Sequence, residues 1–151
     1  METNHHFVRC VSALLALCAT LFLAGCQVKL VPDYDEEFSK ETIATQKEVA
    51  SFLQGQINPT STTDLTYEGN KATYNKIRVD LNTLFVLASS VEGNEATVDQ
   101  VNTLIASMNE LQERHQRQGR LSAGYLEEKQ PALMKMFVVI IRTQNAKKAA
   151  R

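Results

Sequence analysis

His115 stands three residues after Gln112 and two after Glu113. A carboxylate-bridged metal site in a helical bundle sets a glutamate three residues before a histidine, because those positions share a face. Here the third position back is an amide, and Glu113 diverges from the ring. There is no His-x-x-x-His pair and no Cys-x-x-Cys-His haem site. His115 is therefore expected at the surface of a helix rather than on a metal. Met108, Met134 and Met136 could capture a soft metal, but methionine at helical spacing more often fills a core. A serine nucleophile would need His115 as its base, and no Gly-x-Ser-x-Gly or phosphate-binding glycine loop is present. Glu36-Glu37 and Glu127-Glu128 are neighbours in sequence, so on a helix their carboxyls point about 100° apart and do not pair for acid–base work. The expectation is a protein with no catalytic residue, no metal and no cofactor.

The remaining reactive group is Cys26, in the stretch "LFLAGCQVK". It follows a polar head carrying Arg9 and an apolar run over residues 11–24, interrupted by Ser12, Cys18 and Thr20. A bilayer-spanning helix needs about 20 apolar residues, and a shorter run with a basic head and small residues at its end reads as a secretory signal. Leu23, Ala24, Gly25 and Cys26 together resemble the lipobox of bacterial lipoproteins. That resemblance implies cleavage between Gly25 and Cys26 and a lipid on the Cys26 sulfur. The thiolate is the reactive form, and two or three acyl chains anchor durably where one does not. It also implies a cell-envelope location. Position 27 is Gln rather than the Asp that favours inner-membrane retention in enteric-type lipoproteins, which points to the periplasmic face of the outer membrane.

Cleavage would remove residues 1–25 and leave 126 of the 151, enough for one modest domain with its own core. Cys10 and Cys18 would leave with the signal, so no internal disulfide and no free thiol would remain. His5 and His6 would leave too, making His115 the single histidine of the mature chain. Arg9 and Glu2 cancel, and the net charge stays at −1, which argues against nucleic-acid binding.

The elements that must position these groups read as four helices. Residues 26–32 form a short tether, and residues 33–151 form the domain. Phe38, Thr42, Thr45, Val49, Phe52 and Leu53 recur at helical spacing over 33–54, with acidic residues at the start and Gly55 as a stop. The polar stretch from Ile57 to Asn70, with its Asn58-Pro59 turn signal, reads as a long loop; Leu65 and Tyr67 would pack down and shorten it. Tyr74, Ile77, Leu81, Leu84, Phe85 and Ala88 mark a helix over 70–89. Val98, Val101, Leu104, Ile105, Met108 and Leu111 mark one over 95–118, with Asn94 as N-cap and Gly119 as stop. Ser122 caps a fourth, which Pro131 should kink or restart. The run "FVVII" has strand propensity, yet no partner strand exists elsewhere, so it too reads as helix. The fold class expected is all-α, an antiparallel up-and-down four-helix bundle.

That topology brings the first residue of the domain and the last to one end. Lys147, Lys148 and Arg151 would then lie beside Lys29, near anionic headgroups. "RHQRQGR" at 114–120 would lie at the opposite end, where Arg114 and Arg117 could meet an acidic partner or cell-wall polymer. The fourth helix carries more apolar residues than one stripe needs, which makes Met136 and Val139 candidates for a partner or self-association face. The stretch "KLVPDYDEEFSKE" resembles the mature start of small helical bacterial envelope lipoproteins and brings no catalytic residues with it. The expected function is that of a non-enzymatic, membrane-anchored interaction or accessory protein. The alternative is a helical module holding a small apolar molecule or lipid between its helices.

Overall fold

The computed structural model describes residues 32–150. Four helices account for most of them: α1 (Glu36–Ile57), α2 (Tyr67–Ser89), α3 (Glu95–Gln118) and α4 (Ala123–Ala149). Each helix packs against its neighbours in sequence, and α4 returns to α1, which closes an antiparallel ring of four. Gly25, Cys26, Lys29 and Arg151 lie outside the described residues.

Each helix buries one stripe. On α1 it comprises Phe38, Thr42, Thr45, Val49, Phe52, Leu53 and Gln56. The two threonines can sit inside because each hydroxyl donates back to the carbonyl four residues earlier, at 2.7 Å for Thr42 to Phe38 and 2.8 Å for Thr45 to Glu41. On α2 the stripe runs Tyr67, Asn70, Tyr74, Ile77, Leu81, Leu84, Ala88, alternating steps of three and four. Leu104 and Leu111 of α3 and Leu133, Phe137 and Ile140 of α4 are fully buried at its centre. Each such side chain contributes about 1.5–3 kcal/mol over leaving it exposed. Among the described residues no helix is long and apolar enough to cross a membrane.

Two helix ends differ from the sequence reading. Gly55 does not stop α1; the helix continues to Ile57, because burial of Gln56 favours one more turn. Asn58 then caps it, its N–H donating to the Gln54 carbonyl at 2.9 Å. α2 begins at Tyr67, three residues before the expected start at Asn70. Thr66 is its N-cap, accepting from the Gly69 N–H at 3.1 Å, and the Asp64 carboxylate accepts from the Thr66 N–H and hydroxyl at 2.8 and 2.7 Å. Asp64 lies so close over Gly69 that a Cβ there would overlap it. α4 runs through Pro131 as one helix, so of the two alternatives expected there, a kink or a restart, the restart is excluded. α3 ends as its sequence implies: Gly119 takes a left-handed φ of 70°.

Candidate functional site

His115 is not at the surface. It is fully buried, against the expectation from the sequence. Its position four residues after Leu111 carries the α3 stripe one more step inward. The ring is held on both edges. Nε2 lies 3.0 Å from the Leu65 carbonyl, and Nδ1 lies 3.0 Å from the Tyr74 hydroxyl. A carbonyl can only accept, so Nε2 carries the proton; in the neutral ring Nδ1 then accepts from the Tyr74 O–H. Burial holds the imidazole below the ordinary histidine range, with the Leu65 bond and the nearby Asp64 charge pulling the other way. Burial likewise pushes the Tyr74 phenol well above its usual value.

Two aromatic rings flank the imidazole, and a third packs against one of them. Tyr67 and Tyr74 meet it edge to face at 5.8 and 5.7 Å, and Phe52 of α1 meets Tyr74 at 5.0 Å. The loop 58–66 closes over this cluster. Asn70 donates to the Asp64 and Thr66 carbonyls at 2.8 and 2.7 Å, Gln56 donates to Asn70 at 3.1 Å, and the Tyr67 N–H reaches the Gly119 carbonyl at 3.0 Å. His115 therefore joins α3 to the α1–α2 loop. Its nitrogens are both occupied and its neighbour is a phenol held protonated, so this arrangement positions backbone rather than activating a nucleophile.

A second buried ionisable group lies at the other end. Lys147 is turned inward and is 5% exposed, so its ammonium is not part of the basic surface expected there. It donates to the Asn94 side-chain oxygen and, at 2.9 Å, to the Thr97 hydroxyl. Asn94 is the N-cap residue of α3 as expected, but it caps through its backbone carbonyl, which accepts from the Thr97 N–H at 2.9 Å, while its side chain donates to the Ala88 carbonyl at 2.7 Å. Burial lowers the Lys147 ammonium below the usual lysine range, while Asp35 raises it. Lys148 is exposed and sits 5.4 Å over the Tyr34 ring.

The remaining candidates separate. Arg114 stacks on Tyr125 at 3.9 Å, joining α3 to α4. Arg117 is exposed and pairs with Glu113 at 3.5 Å. The basic stretch at 114–120 is thus split between packing, core and solvent. Met136 is half-buried against the core. Val139 is 42% exposed, as is its neighbour Val138. Among the described residues no group of three or more His, Cys, Asp and Glu side chains is placed to hold a metal ion. Comparison with known protein families, with curated proteins and with solved structures finds no match.

Proposed function

We propose that this chain is a lipid-anchored, non-enzymatic interaction module of the bacterial envelope, attached through Cys26 to the periplasmic face of the outer membrane. The anchor rests on the lipobox residues Leu23, Ala24, Gly25 and Cys26. Position 36, the start of α1, is ten residues beyond Cys26, so the tether would reach at most about 33–36 Å. The bundle would work close to the lipid surface.

The observation that carries the interaction reading is the outer face of α4. Val138 and Val139 are exposed there between Lys135 and Arg142, on positions that share one side of the helix. Gln46 of α1 reaches Met134 of α4, with 3.3 Å between Nε2 and Sδ, and this antiparallel register sets the exposed Ile43 within a turn of Val138. An apolar patch rimmed by cations suits a protein partner or a second copy of the chain. Ligand carriage is less well supported. The crevice between α2 and α3, beside Tyr74, Leu81 and Met108, encloses about 10 Å³. That is room for roughly one water, against pockets of about 300–1,000 Å³ for small molecules. A larger hollow of about 440 Å³ beside Glu48, Gln56, Thr63 and Asn70 is lined mainly by polar side chains and opens broadly to solvent, which does not suit an apolar ligand.

A photoactivatable residue at Val139, compared in cells with one at Val79 on the α2 surface, tests this reading. A discrete adduct from position 139, absent from position 79 and lost in Cys26→Ser as the protein leaves the membrane fraction, is the expected result. Equal labelling at both positions, or a Cys26→Ser protein that stays membrane-bound, contradicts it.

A further inference from the structure

Charge is unevenly spread around the bundle, although the whole chain carries only −1. α4 has Lys129, Lys135, Arg142, Lys147 and Lys148 against Glu127 and Glu128, and no Asp or Glu follows residue 128. Its neighbour α1 has none between Glu41 and Glu48. On α2 and α3 the exposed cations are met within the chain: Lys71 by Glu68, Lys76 by Glu48 and Asp80, Arg78 by Asn75, and Arg117 by Glu113. Lys47, Lys135 and Arg142 are exposed and, among the described residues, have no acidic partner.

These three flank the exposed aliphatic patch. Lys135, Val138, Val139 and Arg142 follow one another by steps of three, one and three, so they share one side of α4. Lys47 stands one turn from Ile43 on α1, and the register fixed by Gln46 and Met134 brings it within a turn of Lys135. Lys40, one turn from Ile43 in the other direction, is already held by Glu36 at 2.8 Å.

The chemistry of this face selects among occupants. A second copy docked about a two-fold axis would set these cations against themselves. Docked through α3, where Glu95, Asp99, Glu110 and Glu113 outnumber Arg114 and Arg117, it would bring no aliphatic anchor, because α3 exposes no large hydrophobic residue. An anionic bilayer would accept the cations. Helices that lie in a membrane interface, however, present Trp, Phe or Leu, and this patch has two valines and an isoleucine. An added strand has no edge to pair with here, because α1 and α4 bond their backbones internally. The partner must therefore satisfy its own backbone. An amphipathic helix does so, and the furrow between two antiparallel helices accepts one with anchors at i, i+3, i+4 and i+7.

We infer that the α1–α4 face receives an acidic amphipathic helix from another protein, its aliphatic residues on Ile43, Val138 and Val139 and its carboxylates on Lys47, Lys135 and Arg142. The inference rests on the interaction reading above and supplies the class of its partner. The cations set partner choice, since they repel a basic helix and steer an acidic one into place.

Two synthetic helical peptides test it against the purified full-length protein, by fluorescence anisotropy at low salt. Both carry leucine at i, i+3, i+4 and i+7; glutamates flank the leucines in one and lysines in the other. The acidic peptide should bind and the basic one should not. Lys135→Glu with Arg142→Glu should weaken the acidic peptide by about tenfold or more and admit the basic one. Lys71→Glu with Arg78→Glu, the same charge change on α2, should alter neither by more than about twofold. Equal binding of the two peptides, binding of neither, or an equal effect of the two double variants overturns the inference. In cells, the adduct from position 139 should join an acidic segment of another protein and fade in the Lys135→Glu, Arg142→Glu variant. An adduct to a second copy, or one that this variant leaves unchanged, overturns the acidic helix while the interaction reading stands. An adduct to lipid, or none at all, contradicts both.

Discussion

The two ends of this bundle solve the same problem with different side chains. At one end a histidine, and at the other a lysine, continues a buried stripe and binds the turn between two helices: His115 the α1–α2 loop, Lys147 the α2–α3 turn through Asn94. Both lose hydration, and burial lowers the proton affinity of both. The consequences diverge because their ordinary values do, 6.5 against 10.5. His115 escapes the cost of a buried charge at neutral pH by shedding its proton. Lys147 keeps its proton and is compensated by hydrogen bonds to Asn94 and Thr97, with no carboxylate in direct contact.

The sign of the pH response follows for each. Lowering the folded-state value of His115 means that the unfolded chain binds the proton more readily. Its share of stability is fully present above pH 6.5 and is lost as pH falls through the folded value. For Lys147 the same lowering is a cost carried at neutral pH and relieved only as pH rises towards 10.5. One end responds to mild acid, and the other is indifferent to it.

His115→Ala should have the largest effect. It leaves the Leu65 carbonyl and the Tyr74 hydroxyl without their partner and opens a cavity, costing about 3–4 kcal/mol in denaturant unfolding at pH 7.5. Asn94→Ala should cost less, about 2–3 kcal/mol, because it removes an oxygen that solvates a buried charge and a donor to the Ala88 carbonyl. Lys147→Met keeps the apolar stem and removes the charge, so it should fall within about 1 kcal/mol of wild type. The double variant should cost less than the two single costs added, since the charge that Asn94 solvates is gone. If Lys147→Met is instead as damaging as His115→Ala, the two ends are alike and the contrast drawn between them fails. Gly119→Ala should likewise stay small, about 1 kcal/mol from the left-handed φ of 70° alone, because a Cβ there meets open space.

The sequence makes most of the fold readable. Its four apolar stripes alternate steps of three and four, and "FVVII" has no strand to pair with, so helix is its consistent reading. The α3 limits are legible because Gly119 marks a left-handed stop. The buried ionisable groups are harder to see, although a signal for each is present. His115 follows Leu111 by four, Gln144 follows Ile140 by four, and Lys147 follows Gln144 by three. Residue type argued for solvent while position argued for core, and position prevailed because each group found partners on another element. Those partners could not be anticipated: Leu65 lies 50 residues from His115, and Asn94 lies 53 from Lys147. The start of α2 was hidden for a similar reason. Its Thr66 cap depends on Asp64 folding over Gly69, a contact that composition does not announce.

A neutral, doubly bonded imidazole stands at the heart of the loop end. Nitrogen-15 spectra of the histidine rings, with His115 assigned by its loss in His115→Gln, observe that state directly. We expect a neutral ring at pH 7.5 with the proton on Nε2 and a bare Nδ1, titrating below the ordinary 6.5. A proton on Nδ1, an imidazolium at pH 7.5, or a midpoint at or above 6.5 would contradict it.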